Sequence, residues 1–256
     1  MARRRKRKLK SSQVAKRIVD ITEASPYVKV LVYGRNGKGK TRFAASAPNC
    51  IIADVNEQGT LSARDIPGVK VFPVEDWYDL QALYWYLKKG EHSFQSVAID
   101  TLTALQKLCM ATVLYEGYER DSTKDPKTPT KRDWGKTATM MEEEILKFRN
   151  LPMNVIFTAQ ERVTGDPEEG EPTLITADLP AGARGSALGA VQVIGRMYKK
   201  EVKKGKGKKR RSKWEFRMFV GDHAELDTKD RTYTLGRIVK NPTVPKIIQA
   251  SVKQED

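Results

Sequence analysis

Eight consecutive residues carry the clearest chemistry: Gly34-Arg35-Asn36-Gly37-Lys38-Gly39-Lys40-Thr41. They match G-x-x-x-x-G-K-[ST] at every fixed position. Glycines at these places let the backbone curl so that successive N–H groups face phosphate oxygens. Lys40 can reach the β- and γ-phosphates, and the Thr41 hydroxyl can ligate Mg2+. The expected ligand is ATP with Mg2+, held by residues 34–41 and by Arg42 in the turn that follows. A second metal-facing group should end a neighbouring buried strand. Ser96-Val97-Ala98-Ile99-Asp100 supplies it, because small and apolar residues place Asp100 at the carboxyl edge of a sheet. A helix N-cap at Asp100 is the structural alternative. Hydrolysis also needs a group that orients water. Ile51-Ile52-Ala53-Asp54-Val55-Asn56-Glu57 leaves a buried strand and offers Asp54 and Glu57 for that role. Capping or loop solvation would explain either acid equally simply.

These groups need strands and helices in alternation to hold them. Residues 28–33, 50–53, 69–73, 96–100 and 154–159 read as buried strands. Residues 42–47, 76–89, 102–118 and 137–151 read as helices, and 13–24 as a short helix stopped by Pro26. The alternation predicts an α/β fold with a mainly parallel sheet flanked by helices. Residues 121–133 read as a polar loop. Residues 163–190, rich in glycine, proline and acids, read as a long one. Residues 191–200 and 213–220 read as a C-terminal β-hairpin with Gly205-Lys206-Gly207 near its tip. The organisation expected is a basic arm over 1–12, one domain over 13–245 and a tail over 246–256.

The 256 residues are 39% hydrophobic, enough for a sizeable core, so wholesale disorder is excluded. The formal charge of +15 is concentrated. Residues 1–10 carry seven Lys/Arg and no acid, and residues 199–213 carry ten Lys/Arg against Glu201. The rest of the chain is close to neutral. Concentrated cations meet phosphate backbones, because neutralising phosphates releases counterions; a solvated tail and loop is the plain alternative. Two cysteines are too few for a disulfide framework, and neither a secretory leader nor a long apolar run is visible. The expectation is a soluble, intracellular protein.

The DNA-contacting residues expected are Lys203, Lys204, Lys206, Lys208, Lys209, Arg210 and Arg211 on the hairpin, with Arg184 in the long loop. Tyr198 and Trp214 bracket the basic run. Either could stack on a base, and packing on the core is the ordinary alternative. No helix-turn-helix or zinc-finger pattern is present, which argues against base-specific readout.

Taken together, these motifs resemble the RecA-like ATPases. Residues 97–105 are similar to that group's second nucleotide motif, and Glu57 to its catalytic glutamate. Gln160, ending Val155-Ile156-Phe157-Thr158-Ala159-Gln160-Glu161, is similar to its γ-phosphate sensor. The closer resemblance is to small phage-encoded RecA-like proteins, the Sak-type ATPases of single-strand annealing and recombination. It rests on residues 33–41, on Thr158-Ala159-Gln160-Glu161 and on Lys229-Asp230-Arg231. It spans about residues 27–240. Many members carry an acid where this chain reads Ala190-Val191-Gln192-Val193. The resemblance implies a RecA-like P-loop NTPase core. It also implies that Lys229 and Arg231 act on a neighbouring copy's γ-phosphate, in a ring or filament. The function implied is a DNA-stimulated ATPase of phage recombination or annealing, in the host cytoplasm. Its partners would be single-stranded DNA, further copies of itself and a single-stranded-DNA-binding protein. A ring-forming replication ATPase, either helicase or helicase loader, is the alternative. A nucleotide-gated binder with little turnover and a small-substrate kinase are the others. The kinase has no use for the two basic segments.

Overall fold

The structure, a computed structural model, describes residues 10–15, 17–20, 27–55, 59–204 and 211–252. The chain begins with α1 (Ser11–Ala15), β1 (Lys29–Tyr33), α2 (Lys40–Ala45), β2 (Cys50–Asp54) and β3 (Lys70–Pro73). It continues with α3 (Trp77–Lys89), β4 (Ser96–Asp100), α4 (Leu102–Arg120), α5 (Lys131–Arg149) and β5 (Asn154–Ala159). There follow β6 (Glu161–Thr164), β7 (Leu174–Ala177), α6 (Ala181–Ala190), β8 (Val193–Lys204) and β9 (Arg211–Phe219). The last elements are β10 (Lys229–Asp230), β11 (Ile238–Lys240) and α7 (Val244–Val252).

Every residue of β1 is buried, so the strand must be covered on both faces. Its period-2 alternation sends Leu31 and Tyr33 into one layer, and Val30 and Val32 into the other. The first layer holds apolar faces of α3, α4, α5 and α6, including Leu80, Leu105, Phe148 and Ala187. The second holds Phe43 and Ala44 of α2 with Val244 and Ile247 of α7. Between them the sheet runs β3-β2-β4-β5-β1-β8-β9-β11, with β10 paired to the start of β8. The strands from β3 to β8 are mutually parallel, and β9, β10 and β11 are antiparallel additions. This is the α/β core the sequence predicts. Its parallel part turns all its carboxyl ends to one edge, where β1, β2, β4 and β5 deliver residues 34–41, Asp54, Asp100 and Gln160.

Several elements differ from expectation. The 163–190 segment is not a long loop: β6 and β7 form a small antiparallel hairpin and α6 follows. The glycines and alanines of α6 allow a close approach to α5. A Cβ at Gly182 would stand 3.4 Å from that of Ala138, and Ser186 Oγ donates to Glu142 Oε1 at 2.6 Å. α5 starts at Lys131 rather than at 137, because Thr130 and Asp133 form a capping box. Arg132 and Trp134 therefore sit in its first turn. Near the start, helix covers Ser11–Ala15, so it begins two residues inside the expected basic arm, and of the helix expected over 13–24 residues 17–20 are not helical. Among the described residues no helix is long and apolar enough to cross a membrane.

Candidate functional site

β1 ends at Tyr33, and the chain turns into the loop at Gly34. A side chain there is excluded, because a Cβ would lie 2.5 Å from the Met197 carbonyl oxygen of adjacent β8. Gly39, with φ of 92°, ends the loop and starts α2. It takes a left-handed backbone and sits under the Phe216 ring, whose carbons would be 2.7 Å from any added Cβ. These two glycines are thus required by geometry as well as by the motif.

Lys40 is buried at the floor of this loop. Its Nζ donates to the carbonyls of Gly34 (2.8 Å) and Arg35 (3.1 Å) and to Gln160 Oε1 (2.9 Å). Gln160 is fixed in turn, since its backbone N–H donates to Thr103 Oγ1 at 3.0 Å. The end of β5 therefore touches the phosphate lysine directly. Thr41 Oγ1 donates to Asp100 Oδ2 at 2.6 Å, and Thr158 donates to the other carboxylate oxygen. Asp100 is almost wholly buried. Burial raises its pKa, against the hydroxyls of Thr158 and Thr41 and the charge of Lys40. N-capping of α4 falls to Thr101, which accepts from Ala104 N at 3.1 Å, and not to Asp100. Asp54 stands in register beside Asp100 across β2 and β4, its carboxylate accepting from Thr60 Oγ1 at 3.1 Å. Glu57 lies outside the described residues.

Around these groups is a cavity of about 610 Å3, lined by residues 36–42, Gly59, Ser62, Asp100, Thr101, Gln160, Lys199 and Phe216. Arg42 borders it while holding Asp65 through two guanidinium nitrogens at 2.5 and 2.9 Å. Arg35 is tied to Glu161, which also holds Arg196 of β8, each at 2.9 Å. Burial pushes the Glu161 carboxyl up, but the two guanidinium groups outweigh it and hold it below its ordinary value. Phosphate loop, β5 end and β8 are thereby joined by charge.

Lys199 and Phe216 were not anticipated as cavity residues. They pair across the β8–β9 ladder, and the Lys199 ammonium lies 4.9 Å from the Phe216 ring centre. A signal for Phe216 is present in Trp214, Phe216 and Met218, which alternate with polar residues and so share one face of β9. Burial increases along that face: Trp214 is 63% exposed, Phe216 half-buried and Met218 fully buried. The hairpin thus leaves the core progressively, and Trp214 is not a core residue. Lys203 is exposed near the far end of β8, Lys204 and Arg211 pair in its last register, and residues 205–210 lie outside the described set. Lys206, Lys208, Lys209 and Arg210 fall there.

Other expected residues are placed elsewhere. Arg184 lies in α6, its N–H bonded to the Pro180 carbonyl. Lys229 pairs with Ile194 at the start of β8, and the Arg231 N–H donates to the Gln192 carbonyl. Because β8 is parallel to β1, both cations sit at the amino edge of the sheet, opposite the phosphate loop. Lys229 Nζ is bonded to the Leu188 carbonyl, while Arg231 is exposed. Neither cation approaches the cavity of its own chain.

Residues 27–232 match a family model described as an AAA domain. The chain belongs to the AAA domain family. It is of the P-loop ATPase type, and the loop, Asp100 and parallel core described above are the parts that type requires. A search of curated proteins finds no match.

Proposed function

We propose that this AAA-domain protein binds and hydrolyses ATP in the service of single-stranded DNA, in phage recombination or strand annealing. The observation that carries the reading is the position of Lys199 and Phe216. The strands that bear the basic run are the same strands that wall the nucleotide cavity.

The donor set fits Mg2+: a hydroxyl and a carboxylate, both hard oxygens, lie 2.6 Å apart at Thr41 and Asp100. When bound there, the ion neutralises charge on the β- and γ-phosphoryl oxygens. The chain's own groups do the rest. Backbone N–H groups of the loop and Lys40 bind phosphate oxygens. Gln160 registers whether a γ-phosphate is present, a role that its bond to Lys40 supports. Asp54 or Glu57 orients the water. Lys229 and Arg231, remote from their own cavity, are available to a neighbouring copy, which makes the functional unit an oligomer. A single strand would lie along the hairpin, its phosphates on the basic run and its bases against exposed Trp214.

The decisive experiment measures ATP turnover with and without single-stranded DNA, beside annealing and unwinding assays on the same preparation. Stimulation with annealing and no unwinding is expected. Strand-independent turnover would sink the DNA half of the reading, and unwinding would move it to a replication ATPase.

A further inference from the structure

We infer that the amino edge of the sheet carries a second anion site, built from Lys29, Arg149, Arg231 and Gln192, that takes a phosphate group. These residues line a cavity of about 530 Å3 whose lining, among the described residues, includes no Asp or Glu. It is separate from the nucleotide cavity. Lys29 begins β1 and Tyr33 ends it beside the phosphate loop, so about 13 Å of strand lies between them.

Like charges do not gather in a pocket without a compensating group. Lys29 is 5% exposed, and its Nζ donates to the carbonyls of Leu151 (2.8 Å) and Met153 (2.5 Å). Carbonyls anchor the ammonium but bring no negative charge. Burial, then the Arg149 charge, lowers the Lys29 pKa to about 8. Arg149 Nε is buried with no hydrogen-bond partner among the described residues. Neither Arg149 nor Arg231 has an ion pair among the described residues. The nearest acid in sequence, Asp230, is spent locally. Its carboxylate accepts from Thr232 N (2.8 Å), Thr232 Oγ1 (2.6 Å) and Leu235 N (3.1 Å). Gln192 Oε1 accepts from Lys29 N–H at 2.6 Å, which fixes the amide and leaves its NH2 as a further donor.

Two guanidinium groups, an ammonium and an amide NH2 make an all-donor, cationic set. Such a set matches a tetrahedral oxyanion with several acceptor oxygens. A phosphate group fits it, either as free orthophosphate or as a phosphodiester of a bound strand.

Arg231 also takes part in the proposed contact with a neighbouring nucleotide, so the test rests on the other residues. The full-length chain with Lys40→Ala removes the phosphate lysine of the nucleotide loop. Orthophosphate is titrated into it by calorimetry, at ionic strength held constant with chloride. Saturable binding is expected, weakened at least tenfold by Arg149→Gln. Gln192→Glu keeps the acceptor for the Lys29 N–H while adding a carboxylate among the cations. It should abolish phosphate binding and raise Tm, which also serves as the control for folding. A thymidine oligonucleotide is titrated in parallel. If it loses affinity in both variants while orthophosphate gives no signal, the phosphate is a phosphodiester. Binding of both ligands unchanged by Arg149→Gln and Gln192→Glu, or no binding of either, overturns the site. The Lys40→Ala background separates this failure from a failure of the nucleotide assignment.

Discussion

Lys40 and Asp100 are both buried, but burial treats them differently. Lys40 holds three acceptors, so it is part of the loop's own scaffold as well as the proposed phosphate ligand. Lys40→Ala should therefore abolish ATP turnover and also lower stability by about 1–3 kcal/mol, the effect of stranding its hydrogen-bond partners. A solvent-facing lysine would give the first effect alone; denaturant unfolding beside an ATPase assay tells them apart. Asp100 is held above its ordinary pKa chiefly by burial, so the folded state binds its proton more tightly than the unfolded chain does. That contribution favours folding at low pH and is lost as pH rises through the folded-state pKa. Asp100→Asn should accordingly raise Tm at neutral pH, by about 2–4 °C per kcal/mol relieved, and the gap should close on acidification. Mg2+-dependent turnover should vanish in the same variant. A Tm difference that does not vary with pH would show that burial of the charge is not the source. Both residues were legible in the sequence, because each stands in a local motif, the G-x-x-x-x-G-K-[ST] loop for Lys40 and an apolar strand ending in an acid for Asp100. Phe216 and Lys199 were not. They reach the cavity through pairing between strands, and the β8–β9 register is a tertiary fact.

At the scale of elements, the hairpin is the piece that couples charge to the site. Replacing Lys203, Lys204, Lys206, Lys208, Lys209, Arg210 and Arg211 with Ser or Gly should weaken single-strand binding and leave basal ATPase intact. The slope of log affinity against log salt should flatten by about 0.7 for each DNA phosphate that the variant no longer neutralises. Wild-type affinity and slope in that variant would refute the role. Phe216→Ala tests the other end of the same strands. With the ring gone from Gly39, KM for ATP should rise several-fold, and Phe216→Leu should recover part of it; equal KM in all three would make the ring a packing residue only. The parallel strands were readable because residues buried on both faces leave continuous apolar runs, as in residues 30–33. α6 was not readable. Its three glycines, after a stretch rich in proline and acids, signal a loop by propensity, yet the small side chains of the segment are what permit helix packing on α5. The early start of α5 did have a local sign, the Thr130–Asp133 capping pair ahead of the first apolar turn.

As a whole, the molecule has two chemically distinct edges. The carboxyl edge of the sheet holds the nucleotide cavity, and the amino edge presents Lys29, Arg149, Lys229 and Arg231. A head-to-tail neighbour would bring one edge to the other, which a two-fold dimer would not. Arg231→Ala should then cut turnover while leaving nucleotide affinity near normal, because a cation acting on transition-state charge changes rate more than ground-state binding. Lys229 contributes less to this test, since its ammonium is bonded to the Leu188 carbonyl and burial lowers its pKa to about 8. Mixing is the sharper measurement. Arg231→Ala retains an intact phosphate loop, and Lys40→Ala retains an intact Arg231, so each is inactive for a different reason. In a mixed assembly some interfaces pair the intact loop of one with the intact arginine of the other. Turnover should rise above either variant alone and peak near equal proportions. Subunit exchange must be demonstrated on the same sample, for instance by energy transfer between labelled variants. With exchange shown and no recovery at any ratio, Arg231 acts within its own chain or not on nucleotide at all.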